Sequence, residues 1–398
     1  MKIILITQNT PYRENFRAAS ALPYHILYGR SKDIKVEIYS FNLNHLPNDK
    51  IKEVEENLDV KIHMISPPKW IDRVIKWHLS FIRIFLRYPI YCYFKMKGLV
   101  VEEIKSKQPN AIWIYGEELM RVTKQFSDYK RIHTFPDCES MYYYRMLGRR
   151  FVFSKKTSLW RNAIMYPKYL QMEKDMDSHV ICHLVGEEDV RSLRNVNPGL
   201  EAHFIRHPHY EIAESQKIIS FGNPKIKLLI AGRYDLYMKE RADELVEVLV
   251  KSQQFSLRNN YKLTFLGKGW EFHTKTLSEA GYEVEHISFA PNYVEEVRCH
   301  DIQITPIAIG TGTKGKVLDA IANGLLVIGT NYALENIAVE DGVSCVEYCS
   351  KEELIMILAD IPRNRERYER MAERGRQTVL TLHSREKVAE EVFGLLYK

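Results

Sequence analysis

Residues 304–330 read ITPIAIGTGTKGKVLDAIANGLLVIGT, and the fold can be worked outward from them. A short apolar run ends at Ile309, and Gly310–Lys316 then packs three glycines, two threonines and two lysines into seven residues. A segment of helical period follows, closed by Gly324, and then a second apolar run, LLVIGT. Strand, tight turn, helix and strand form the repeating unit of a parallel sheet, because parallel neighbours need a crossover that a helix supplies. In an open parallel sheet such a turn lies at the edge where ligands bind. Glycines let backbone N–H groups approach an anion, the helix start adds partial positive charge, and Lys314 and Lys316 add full charges. Asp319 follows Lys316 by three residues, on the same helical face, and lies about 7–8 Å along the axis from Lys314. A nucleotide diphosphate fits that layout, with phosphates at the turn and ribose at the carboxylate. The competing reading is an ordinary strand–helix turn with solvated lysines.

The same alternation runs through the chain. KIILIT at the start reads as a buried parallel strand, and further strands are expected at DIKVEIYSF, residues 60–65, 111–115, 130–135, 178–185 and 202–207. After a Pro/Gly-containing stretch near residue 210 the pattern restarts with KIKLLIAG, YKLTFLGKG, YEVEHISF and DIQITPI, each followed by a helical segment, with Pro291 expected to open one. The chain of 398 residues thus divides into two doubly wound α/β domains, 1–212 and 213–380, with a C-terminal helix over 381–398 packing back on the first.

Two more loops at strand ends of the second half agree with an anion site. AGRYDLYMKE offers Gly232, Arg233 and Lys239, and LGKGWE offers Gly267. There is no GxxxxGK[ST] and no GxGxxG after the first strand of that half, which argues against a Walker-type nucleotidase or a dehydrogenase.

These pieces, in this order, resemble the retaining GT-B glycosyltransferases, in particular the large family 4 grouping (glycosyl transferases group 1), over roughly residues 222–345. The turn running into KVLDAIANGLLVIGT is the most specific part of the match. The resemblance implies a GT-B fold, two Rossmann-like domains facing a cleft, and transfer of a sugar from a nucleotide diphosphate donor, UDP-sugar ahead of GDP-sugar, without metal or other cofactor. Carried over, Arg233 and Lys239 grip the diphosphate, the Gly312 and Thr313 N–H groups add to the grip, and Asp319 takes the ribose; separately, the loop around Asn292 is a candidate contact to the base. HTFPDCESMYYYR resembles the stretch where such enzymes set a His-Asp pair beside the donor sugar; Asp137 matches the aspartate, Pro136 stands at the histidine position, and His133 is close by. Many relatives keep two glutamates eight positions apart around the turn, where this chain has Thr311 and Asp319.

Charge is uneven. Residues 1–212 hold 33 Lys+Arg against 24 Asp+Glu, a balance of +9, while 213–398 hold 24 against 27, a balance of −3. The segment Lys69–Lys97 carries seven basic residues, one acid and a run of Trp, Tyr and Phe; Trp70, Trp77 and Phe81 fall on one face of a continuous helix. Residues 141–172 repeat that composition with seven basic residues and no acid. Basic residues alternating with aromatics at helical spacing describe helices lying on an anionic membrane surface; the competing reading is a core-facing amphipathic helix with a solvated basic face. Charged residues break every apolar run before it reaches spanning length. No nucleic-acid-binding module is recognisable, so the expected partners are a nucleotide-sugar, a glycan or lipid-linked acceptor and an anionic lipid surface, with the protein on the cytoplasmic face of a membrane. Six scattered cysteines and no signal peptide agree with a reducing compartment. A sugar-nucleotide epimerase of the same fold, and a catalytically degenerate partner protein, are the alternatives.

Overall fold

A computed structural model describes residues 1–147, 159–251 and 257–397. The chain forms two compact units, Met1–Pro208 together with Arg385–Lys398, and His209–Ser384. The first division comes a few residues before the boundary expected at 212. Residues 209–213 are tied into the second unit: the Tyr210 N–H donates to Asp319 Oδ1 at 3.1 Å and the Ala213 N–H to Asn323 Oδ1 at 3.0 Å.

In the first unit the strands are β1 (Lys2–Thr7), β2 (Lys35–Ser40), β3 (Lys61–Met64), β4 (Ala111–Tyr115), β5 (Lys130–Thr134), β6 (Ile181–Leu184) and β7 (Glu201–Phe204). They pair in the order β3-β2-β1-β4-β5-β6-β7, every pair parallel. The central strands are apolar on both faces because helices cover both: Ile3 and Leu5 enter one buried cluster, Ile4 and Ile6 another. In the second unit β8 (Ile226–Ala231), β9 (Tyr261–Leu266), β10 (Glu283–Ile287), β11 (Ile302–Thr305), β12 (Leu326–Gly329) and β13 (Val346–Glu347) pair in the order β10-β9-β8-β11-β12-β13, again all parallel. Both sheets therefore run outward from a first strand in one direction and then restart on its other side, between β1 and β4 and between β8 and β11. That reversal leaves a crevice at the carboxyl edge of each sheet.

The helix Arg365–Leu382 ends at His383, and the last helix, expected over 381–398, spans Arg385–Gly394. It lays Val388, Val392 and Phe393 into the core of the first unit, with the Phe393 ring edge-on to Trp113 of β4 at 5.4 Å between centroids.

The Lys69–Lys97 segment is broken rather than one helix. It forms Lys69–Lys76, Ser80–Phe85 and a short 3-10 turn at Ile90–Tyr93. His78 stands at φ +53°, and the Leu79 and His78 amides bond back to the Val74 and Ile75 carbonyls, which closes the first helix in a left-handed cap. Trp70, Trp77 and Phe81 consequently do not share one helix, although all three are exposed, as are Ile84 and Phe85. Lys168, on the helix Leu159–Lys174, donates to the Ile84 and Leu86 carbonyls, and the Cys92 thiol meets Met172, so both basic-aromatic stretches belong to one region. Residues 148–158 of the second stretch lie outside the described residues. Among the described residues no helix is long and apolar enough to cross a membrane.

Phe393→Ala should lower the stability of the first unit by about 3–5 kcal/mol, the range for emptying a buried aromatic site. Urea unfolding followed by Trp113-sensitive fluorescence measures this, and an unchanged midpoint would show that the last helix contributes no core.

Candidate functional site

The crevice between β8 and β11 is built by two loops held together through backbone. Strand β8 ends at Ala231 and its loop runs to the helix Lys239–Lys251; β11 ends at Thr305 and its loop runs through the glycine turn to the helix Gly315–Ala322. The Ala308 N–H donates to the Tyr237 carbonyl at 2.7 Å, pinning one loop to the other. Asp235 stiffens the first loop: its Oδ1 accepts from the Tyr237 amide and its carbonyl from the Met238 and Lys239 amides.

Sequence-expected residues converge on this edge. Arg233 is exposed and has no ion-pair partner among the described residues. Lys239, at the start of its helix, is also exposed, with its Nζ 5.6 Å from the Tyr234 ring centroid. Lys316 remains exposed at its outer face while its Nζ stands 5.6 Å from the Tyr293 ring; crowding by protein lowers its pKa, opposed by the charges of Asp319 and Asp235. Gly312 takes φ +62°, and the turn it opens feeds the start of the helix carrying Asp319. Thr313 is partly buried beside it.

Three expected ligands also have structural tasks. Asp319 is 7% exposed, and its Oδ1 holds the Tyr210 amide. Gly267 takes φ +138° where a Cβ would lie 2.1 Å from the Gly232 carbonyl oxygen; the loops after β8 and β9 cross so closely there that no side chain fits. Gly232 itself stands at φ +146°, and its carbonyl accepts from Trp270 Nε1 at 2.8 Å. Asn292 caps the helix Tyr293–Arg298 by accepting from the Glu295 amide, so Pro291 lies outside that helix rather than opening it.

In the first unit the crevice between β1 and β4 has another character. His133 is buried at 1% exposure on β5, with its Nε2 donating to the Gly116 carbonyl at 2.7 Å. Burial drives its pKa down to about 4, so the imidazole is neutral. It shapes the turn after β4 from within the core and does not reach solvent. That turn delivers Glu117 and Glu118, which sequence reasoning passed over. Tyr169 Oη donates to Glu118 Oε1 at 2.8 Å and Gln8 Nε2 to Oε2 at 3.3 Å. Burial first, and the Glu117 charge second, push the Glu118 carboxyl up to about 8. Glu139 is raised well above the usual range by burial and by Glu117, Asp137, Glu118 and Glu173. Asp137 adds its charge to that carboxyl cluster, while the His133 ring is turned to the Gly116 carbonyl. The visible signal was YGEEL, two acids directly after an apolar strand. Among the described residues no group of three or more His, Cys, Asp or Glu is placed to hold a metal ion.

Two all-parallel units, each with the reversed strand order, match solved structures along their whole length. The fold is that of the GT-B glycosyltransferases. HepE of Anabaena, solved with UDP, superposes at a TM-score of 0.65 with 11% identity, covering 100% of both chains. TarM of S. aureus gives 0.66 and 10%, covering 100% of this chain and 99% of that one. WaaG, a glycosyltransferase involved in lipopolysaccharide biosynthesis, gives 0.62 and 14%, covering 99% and 100%. Residues 241–394 match the family described as glycosyl transferase-like, a stretch that takes in most of the second unit and the last helix. No curated protein sequence matches the chain.

The Glu118 carboxyl has a pH consequence of definite sign. Its folded pKa lies above the ordinary 4.5, so the stability linked to its proton is fully present below about 4.5 and is lost as pH rises through about 8. Glu118→Gln should flatten the decline in urea midpoint between about pH 5 and pH 8.5 relative to the parent protein. Identical declines in the two proteins would contradict the buried proton.

Proposed function

We propose that the protein is a retaining glycosyltransferase that moves a sugar from a nucleotide diphosphate donor, a UDP-sugar ahead of a GDP-sugar, to a lipid-linked or cell-surface glycan. The observation that carries the reading is the crevice between β8 and β11, where exposed Arg233 and Lys239 stand on one loop and the Gly312 turn on the other, joined by the Ala308–Tyr237 bond. HepE has been solved with UDP and with UDP-glucose, and a TarM variant with UDP and glycan ligands, which supports a donor of this chemistry.

In such a transfer the bond from the anomeric carbon to the diphosphate breaks, positive charge develops on the sugar, and negative charge grows on the leaving group. Catalysis then rests on fixed cations and N–H groups that hold the diphosphate more strongly as it becomes fully charged. Arg233 and Lys239 supply the cations, the amides of Gly312 and Thr313 the dipoles, and Asp319 the acceptor for ribose hydroxyls. The acceptor hydroxyl attacks the face the diphosphate leaves, and the departing phosphate takes its proton. No step requires a protein nucleophile. Asp137 lies in the carboxyl cluster of the first unit, on the acceptor side of this scheme, and His133 acts there through the Gly116 carbonyl.

The first unit supplies the second element of the reading. Trp77, Phe81, Ile84 and Phe85 are exposed beside Lys76, Arg83 and Arg87, a large apolar surface with cations among it. Water is a poor neighbour for that surface, and the headgroup region of an anionic membrane is a good one. WaaG, one of the similar structures, serves lipopolysaccharide synthesis, which agrees with an acceptor held at a membrane.

Donor hydrolysis measured with a UDP-sugar should lose at least about tenfold in kcat/KM in Arg233→Ala and in Lys239→Ala, about 1.4 kcal/mol of transition-state stabilisation. Activity unchanged in both variants excludes the assignment. A thermal-shift screen of UDP-, GDP-, ADP- and CMP-sugars identifies the base, since a nucleotide at 100 times its Kd adds about 2.7 kcal/mol of stability. Flotation with vesicles should carry the protein up with anionic lipid and leave it below with neutral lipid; equal behaviour with both counts against the membrane surface.

A further inference from the structure

Lys314 entered as a phosphate ligand, yet its side chain points elsewhere. Its Nζ donates to the Thr311 carbonyl at 2.7 Å and to the Gly312 carbonyl at 2.8 Å. The ammonium therefore sits on the inner side of the very turn expected to bind the anion. Gly310 leaves room for it: a Cβ there would come within 3.1 Å of Lys314 Cε and 3.2 Å of Nζ.

Peptide geometry turns this contact into a statement about the amides. In a trans peptide the carbonyl and the N–H of one plane point in opposite directions, and the described chain contains no cis peptide. The plane that aims the Thr311 carbonyl at Lys314 contains the Gly312 N–H. The plane that aims the Gly312 carbonyl at Lys314 contains the Thr313 N–H. Both N–H groups are thus directed away from the lysine by one cation drawing two carbonyls inward. Gly312 at φ +62° allows the two successive planes to turn to the same side, the arrangement in which backbone N–H groups make an anion-binding concavity.

We propose that Lys314 is a positioning residue for the donor diphosphate, which fixes the carbonyls of Thr311 and Gly312 inward so that the Gly312 and Thr313 N–H groups face the phosphate. The proposal rests on the donor reading given above and adds to it a division of labour. Arg233 and Lys239 meet the diphosphate as charges, whereas Lys314 acts through backbone. It also accounts for Thr311. A glutamate there would bring a carboxylate into reach of the same ammonium and compete with the carbonyls; a threonine does not.

Binding of UDP and of uridine to the full-length protein, measured by calorimetry for the parent and for Lys314→Met, tests this. Methionine keeps the length of the stem and removes the donor. The expected result is UDP affinity weakened about tenfold with uridine affinity unchanged, since only the phosphate contacts depend on the turn. In a crystal structure of the parent with UDP, Lys314 Nζ is expected to remain on the two carbonyls. Unchanged UDP affinity in the variant overturns the proposal. So does equal loss of UDP and uridine, which marks a merely structural lysine, and so does movement of Nζ onto a phosphate oxygen in the complex. Failure of the parent itself to bind UDP overturns the donor reading and this one with it.

Discussion

Parallel pairing constrains everything else in this molecule. Strands that run the same way must be joined by crossovers, and each loop that leaves a strand end emerges at the same edge of its sheet. Where the strand order restarts, two such loops diverge to opposite faces and leave a crevice that no helix fills. Both units obey this rule, at β1/β4 and at β8/β11. The second crevice is lined by cations and glycines, the first by Gln8 and buried carboxyls. One architecture thus holds two crevices with different linings.

The carboxyl cluster of the first unit shows what that topology costs. Glu117 and Glu118 follow β4 directly, in the place where the sheet edge meets its crevice, and burial there disfavours charge. Tyr169 and Gln8 satisfy the Glu118 oxygens, while Ser140 satisfies Glu173, so the cluster is hydrogen-bonded as well as partly protonated. A buried acid that keeps its proton at neutral pH can donate as well as accept.

How far the sequence could be read depended on the range of the interactions. Strand runs such as KIILIT, AIWIY and KIKLLIAG were legible because continuous apolar residues of strand length answer to burial on both faces, a local signal. The glycine turn was legible for the same reason: its residue types answer to backbone approach. His133 was misleading, because proximity in sequence to Asp137 says nothing about burial, and β5 is an inner strand covered on both faces, so the ring lies in the core. The segment after Lys69 was read as one helix because its period continues past Trp77. The left-handed residue that breaks it is His78, a position with no glycine to announce it. Glu118 was invisible for a third reason: burial raises its pKa, and Tyr169 and Gln8, which bond its oxygens in the buried site, lie far away along the chain.

Lys314 was misleading for a different reason, since every atom involved lies within a few residues. From sequence, a lysine in a glycine turn at the head of a helix reads as a cation offered to an anion. The same ammonium, folded back by two carbonyls of its own turn, makes the turn rather than the contact. The difference matters energetically. A surface lysine meeting a phosphate must give up hydration and side-chain freedom when the ligand arrives. A lysine already committed to the backbone has met that cost on folding, and the N–H groups it orients wait without reorganisation, which is the condition under which fixed dipoles stabilise a developing charge best.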